Sequence, residues 1–97
     1  MPTYISLIKY TEQGVKDAKA VPERVLAARK ALESMGGRLH SYRLTLGEYD
    51  AVVTIEAPND EAYATFSLNI AAQGNIRTTT LKAFSEEESF RILGNLS

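Results

Sequence analysis

His40, Tyr49, Asp50 and Arg77 are the side chains of this sequence whose types and settings suit chemistry. His40 is the only histidine, and imidazole is the one side chain that ordinarily titrates near neutral pH. Placed beside Tyr42 and Ile55, it can line a pocket and act as a base. Near the start of an edge strand, a half-exposed histidine equally needs no role. Tyr49 and Asp50 close the run Gly47-Glu48-Tyr49-Asp50. Asp50 can orient a ligand hydroxyl or accept its proton. Its plainer use is to satisfy backbone donors beside a turn, with Tyr49 packed on Leu46. The turn requires Gly47 but has no need of a tyrosine–aspartate pair. Arg77, with Thr78 and Thr80, offers cationic and hydroxyl donors to an anion. The simpler expectation is a strand whose arginine pairs with a nearby carboxylate.

Much chemistry is excluded. With no cysteine there is no disulfide, thiolate metal site or cysteine nucleophile. A single histidine leaves only carboxylates and carbonyls as metal ligands within one chain, which suit weakly held hard cations. No metal or other cofactor is therefore expected. There is no catalytic-triad spacing, phosphate loop or dinucleotide fingerprint. A net charge of −1 creates no field to attract nucleic acid or an anionic membrane. The first residues lack the features of a signal peptide and no stretch is long enough to span a bilayer, so a cytoplasmic location is expected. The 97 residues suffice for one domain over 1–97, and a domain so small gains from a subunit partner.

The elements that must position these residues are legible. Residues 3–10 are aromatic and β-branched and predict a strand. Thr11 can cap a short helical turn over 12–18, which Gly14 weakens. Pro22 suits a helix's first turn, and that helix runs to about Met35. Val25, Ala28, Leu32 and Met35 form its apolar stripe, with Arg24, Arg29, Lys30 and Glu33 falling away from it. Gly36 and Gly37 end it. Strands follow over 38–46 and 49–57. Asn59 caps a second helix reaching about Gln73, with Ala62, Phe66 and Ile70 inward. Residues 76–84 form the last strand, whose Thr78-Thr79-Thr80 run declares no parity. Ser85 and Glu88 make a capping box for a short C-terminal helix, where Glu86, Glu87 and Glu88 complement the helix dipole. Tyr4, Tyr10, Tyr42 and Tyr63 read as packing residues.

The order β-α-β-β-α-β is an α+β, ferredoxin-like arrangement: an antiparallel sheet with two helices on one face, plus the terminal helix. A type II′ turn at Gly47-Glu48 sets the hairpin register. It pairs Leu46 with Tyr49, Leu44 with Ala51, Tyr42 with Val53 and His40 with Ile55 on one apolar core face, which Ile5 and Leu7 join. The other face then carries Leu39, Ser41, Arg43 and Thr45 with Asp50, Val52, Thr54 and Glu56, joined by Tyr4, Ser6, Ile8 and Tyr10. It is too apolar for a solvated surface and too polar for an interior, the composition of a subunit interface. Tyr4, Ile8, Tyr10 and Val52 are the interface candidates.

These blocks resemble the GYD-domain family. The resemblance rests on Gly47-Glu48-Tyr49-Asp50, the opening Pro2-Thr3-Tyr4-Ile5-Ser6-Leu7, Thr11-Glu12-Gln13-Gly14, and the stretch from Gly74 to Phe84. It implies a dimeric α/β barrel, two sheets packed face to face, and carries no assigned activity. Two functions are expected. One is a small-molecule-binding or cofactor-free enzymatic domain with a pocket near the Gly47–Asp50 turn. The other is a non-catalytic oligomeric interaction or stress-related module. A polar cavity of about 300 Å³ or more favours the first, and a solid core favours the second. In the expected register His40 and Tyr49 stand roughly 20 Å apart, so one small ligand reaches only one of them; the turn is the favoured site. Self-association is expected in either case, without nucleic acid or membrane.

Overall fold

The computed structural model describes residues 1–97. Strand β1 (Thr3–Tyr10) leads to a short helix α1 (Glu12–Lys16), a 3-10 turn at Ala18–Ala20, and helix α2 (Val21–Ser34). The hairpin β2 (Arg38–Leu44) and β3 (Ala51–Glu56) is followed by α3 (Asp60–Ala72), β4 (Ile76–Ala83) and α4 (Glu86–Gly94). The strands form one antiparallel sheet in the order β2-β3-β1-β4. That is the ferredoxin-like α+β arrangement, with α2 and α3 on one face.

Local chemistry sets the element ends as expected. The Asn59 side chain accepts from Ala62 N, and the Ser85 capping box is complete in both directions. Gly36 and Gly74 follow α2 and α3 in the left-handed conformation, φ +85° and +82°, which favours glycine at a helix C-terminus.

The covered face differs from expectation along β1. Tyr4 pairs with Ile55, Ser6 with Val53 and Ile8 with Ala51, and all six are buried. Tyr4, Ile8 and Tyr10 therefore lie under the helices, not on the open face. Of the interface candidates only Val52 stays there, with Ile5 and Leu7. Both parities of β1 are apolar, so alternation alone does not choose between them. The larger aromatic bodies take the interior because their hydroxyls find partners. Tyr4 stacks on Tyr63 at 4.1 Å between centroids and donates to Asp60 Oδ1; Tyr63 shares a 2.7 Å hydrogen bond with Thr80.

A second difference is a β-bulge in β2. Leu44 pairs with Ala51 and Tyr42 with Val53, as the hairpin register requires, but Leu39, not His40, pairs with Ile55. The extra residue sends Leu39 into the core, 6% exposed, and puts His40 beside Glu56 of the open face, where Nε2 meets Oε1. The turn is also wider than two residues. Thr45 N donates to Asp50 O at 2.9 Å and leaves 46–49 as the loop, with Gly47 at φ +121°.

Candidate functional site

The four residues singled out for chemistry do not assemble. Asp50 is engaged internally: Oδ2 accepts from Tyr10 N at 2.9 Å, and its own N–H donates to Ile8 O at 2.8 Å. The carboxylate thus ties the hairpin loop to the end of β1, the structural use of an aspartate beside a turn. Tyr49 lies under Lys9, whose Nζ stands 5.4 Å from the ring centroid, and its carbonyl accepts from Thr45 Oγ1 at 2.6 Å. His40 sits at the opposite end of the hairpin with Glu56. Arg77 is exposed and forms no salt bridge; directly opposite it across the strands is another cation, Lys9. The expected carboxylate partner is not there.

The cavity lies elsewhere, between the sheet and helices α2 and α3. It is half open, offers about 100 Å³, is mostly apolar, and takes none of those four residues in its wall. Arg24 and the Tyr10 and Tyr42 hydroxyls contribute to its polar edge, with Ser6, Ser67, Gln73, Asn75 and Thr78 the other polar residues of the wall. The Tyr10 and Tyr42 hydroxyls are hydrogen-bonded to each other. Burial pushes the Tyr10 phenol well up, helped by Tyr42 and by the negative charge of Asp50, while the Arg24 guanidinium pulls the other way. Arg24 Nη2 donates to both Asp17 O and Asp17 Oδ2 at 3.0 Å. Its Nη1 is buried with no hydrogen-bond partner, a condition that ordinarily costs ~1–3 kcal/mol or more for a charged group.

Sequence reasoning missed Arg24 because it assigned the residue to the polar side of α2. Residues 24, 28 and 32 share a face at i, i+4 and i+8. Arg24, Ala28 and Leu32 therefore lie together, with Leu32 fully buried at the far end. Arginine reaches this position by laying its stem along apolar neighbours. The available signal was the helical spacing itself, set against the arginine's charge.

Two sequence blocks meet at the rim. Thr11 N donates to Asn75 O at 3.0 Å and Thr11 Oγ1 to Gly74 O at 2.6 Å. Gln13 Nε2 reaches Gln73 O at 3.0 Å and Asn75 Oδ1 at 2.9 Å. Gly14 is buried in this clamp. A Cβ there would run into the Asn75 carbonyl oxygen and lie 3.0 Å from its carbon. The glycine that weakens α1 is required by this approach of two backbones.

The GYD domain model matches residues 4–93. This chain belongs to the GYD domain family. One relative of this chain is the glutamine synthetase and cystathionine beta-lyase binding protein of Thermus thermophilus. It is 34% identical over 84 residues, covering 86% of this chain and 88% of the relative. The GYD-family match spans the clamp, the hairpin turn and β4 together. No helix is long and apolar enough to cross a membrane.

Proposed function

We propose that this GYD-domain protein is a non-catalytic, self-associating protein-binding module. The observation that carries the reading is the apolar surface left uncovered by its own chain. The accessible surface is 6624 Å², against about 5,500 Å² for an average monomer of 10.7 kDa. The difference, about 1,100 Å², is of the size that one partner buries in a stable interface, roughly 800 Å².

That surface has two parts. The open face of the sheet presents Ile5, Leu7, Val52 and Leu81, the last 49% exposed. Helix α4 carries Phe90, Ile92 and Leu93, all exposed, beyond the solvent-facing Phe84. The area left uncovered favours a second copy as the occupant of the sheet face. Lys9 and Arg77 mark one end of that face, and at the other end Glu56 lies opposite Arg38 and beside His40. Two copies related by a two-fold axis would bury Ile5, Leu7, Val52 and Leu81 of each against the other. With the faces paired, α4 is left to hold either the second copy or a different protein, and the name of the Thermus relative supports protein partners. The cavity under the helices, about 100 Å³, is well under the 300 Å³ or more usual for drug-sized ligands; a larger pocket of about 270 Å³, beside Met1, Lys82 and Glu88, is a more open surface hollow; and the Asp50 carboxylate at the turn is already engaged.

Sedimentation equilibrium at micromolar protein tests self-association. A dimer or its multiple is expected, with Leu7→Glu and Leu81→Glu shifting it to monomer while the far-ultraviolet circular dichroism stays unchanged. A well-folded wild-type monomer overturns the sheet-face pairing. Biolayer interferometry against glutamine synthetase and cystathionine beta-lyase of the same organism tests the partner class. Binding weakened by Phe90→Ser is expected. No binding to either enzyme removes that partner assignment.

A further inference from the structure

From the Arg24 corner of the cavity we infer a binding site for a short-chain monocarboxylate. The walls of the cavity are apolar, with Val25 and Ala28 of α2 and Ile70 of α3 above the sheet and Ile76 at the start of β4. Of its polar residues only Arg24 is charged. Arg24 Nη1 is buried and carries N–H donors without an acceptor. The Tyr10 and Tyr42 hydroxyls share one hydrogen bond. Each hydroxyl has one proton, so one of the pair retains an O–H that is not used in their mutual bond.

What the site lacks is an acceptor with negative charge. The guanidinium already holds Asp17 through Nη2, and Asp17 lies on the outer side, not in the cavity wall. A carboxylate entering the cavity gives Arg24 Nη1 an anionic acceptor and receives a second bond from the free tyrosine hydroxyl. Charge-assisted bonds of this kind are the strong ones. A cation is disfavoured by the guanidinium. A neutral hydrocarbon fills the space but leaves Nη1 unsatisfied. Size narrows the class further. The pocket offers about 100 Å³, less than the roughly 150 Å³ of a cavity that holds benzene, and it is half open. It therefore suits an acid of no more than about four carbons that reaches partly into the opening, with its alkyl tail against Val25, Ala28 and Ile70. The site is independent of the sheet-face pairing, because its residues lie on the opposite, helix-covered side of the sheet.

The experiment is a titration of the full-length ¹⁵N- and methyl-labelled protein with sodium butyrate, followed by NMR. Sodium chloride at equal ionic strength, 1-butanol and butylammonium serve as comparisons. Saturable shifts at the Val25, Ala28 and Ile70 methyls and at Arg24 Nε are expected with butyrate. At least tenfold weaker binding is expected for butanol, and none for butylammonium. Arg24→Gln should weaken butyrate at least tenfold. Ala28→Leu, which fills the cavity but leaves the charge, should abolish binding. Because Arg24→Gln also removes a contact to Asp17, Asp17→Asn is the control and should bind butyrate as the wild type does. Absence of saturable shifts at 50 mM butyrate, equal binding of butanol, or unchanged affinity in Arg24→Gln or Ala28→Leu overturns the site, water then being the partner of Nη1. Sedimentation of the same samples separates this outcome from failure of the self-association reading.

Discussion

Gly14→Ala tests the packing of α1 on the start of β4. The added methyl collides with the Asn75 backbone, and neither the carbonyl oxygen nor the carbon 3.0 Å away is the tip of a flexible side chain. The two segments must separate by roughly 1 Å to restore ordinary contact. That separation disrupts the bonds from Thr11 N to Asn75 O, from Thr11 Oγ1 to Gly74 O, and from Gln13 Nε2 to Gln73 O and Asn75 Oδ1. Each is worth about 1 kcal/mol net, and the exposed Gln13 pair less. Against a loss of about 3–4 kcal/mol stands a gain of about 1 kcal/mol from alanine's better helix propensity. The expected net destabilisation is about 2–3 kcal/mol, a fall in Tm of roughly 10–20 °C for a domain of this size. Urea denaturation at fixed protein concentration measures it, fixed because self-association couples to apparent stability. Glu12→Ala, exposed in the same turn, should change stability by no more than about 0.5 kcal/mol. A Gly14→Ala protein within about 0.5 kcal/mol of wild type, with amide exchange at Thr11 undisturbed, refutes the close-approach argument.

The polar partners of the core make further expectations. Burial, aided by the bond to Asp60, raises the Tyr4 phenol from 10.0 to about 12. The unfolded chain then releases its proton first, so stability present below pH 10 falls as the pH rises toward 12; Tyr4→Phe should flatten that part of the stability–pH curve. The bonds from Tyr4 and Lys82 hold the Asp60 carboxyl below its ordinary 3.8. Its contribution is present above that value and fades as the pH falls through the folded-state value, and Asp60→Asn should remove this acid-side slope in equilibrium denaturation. Asp50→Ala leaves Tyr10 N without its acceptor and should cost about 1–2 kcal/mol. Asp50→Asn, which keeps an acceptor oxygen, should cost less, and equal losses in the two variants count against the hydrogen bond as the cause. Ser85→Ala should loosen α4 by about 1 kcal/mol, read as faster amide exchange at Glu88, whose N–H loses its acceptor.

Most of the fold was legible because its punctuation is local. Pro22, Asn59, Gly74 and the Ser85–Glu88 box act within a few residues, and each sits at an element end. The hairpin register was legible near the turn, where Leu44–Ala51 and Tyr42–Val53 follow from loop parity. It failed at His40 because a bulge is chosen by the fit of Leu39 into the core, a tertiary matter. β1 failed for a different reason. Tyr4 and Ile8 compete with Ile5 and Leu7 on nearly equal hydrophobic terms, and Asp60, 56 residues away, supplies the hydroxyl partner that makes Tyr4 an inside residue. The candidate site was less legible still. Arg24 is recognised only once helical spacing is allowed to outweigh charge, and the Gly14 clamp only once Asn75 lies beside it.

The irregularity at His40 also governs how sheets of this kind stop growing. A sheet has two outer strands, here β2 and β4, and an unprotected outer strand invites another chain to add to it. On β2 the bulge breaks the regular spacing of outward N–H and C=O groups, so an incoming strand loses register partway along. β4 runs eight residues without such a break. One of the two rims is thus protected against strand addition. One residue of slack in β2 thereby serves as a guard on the edge where this sheet could otherwise be extended.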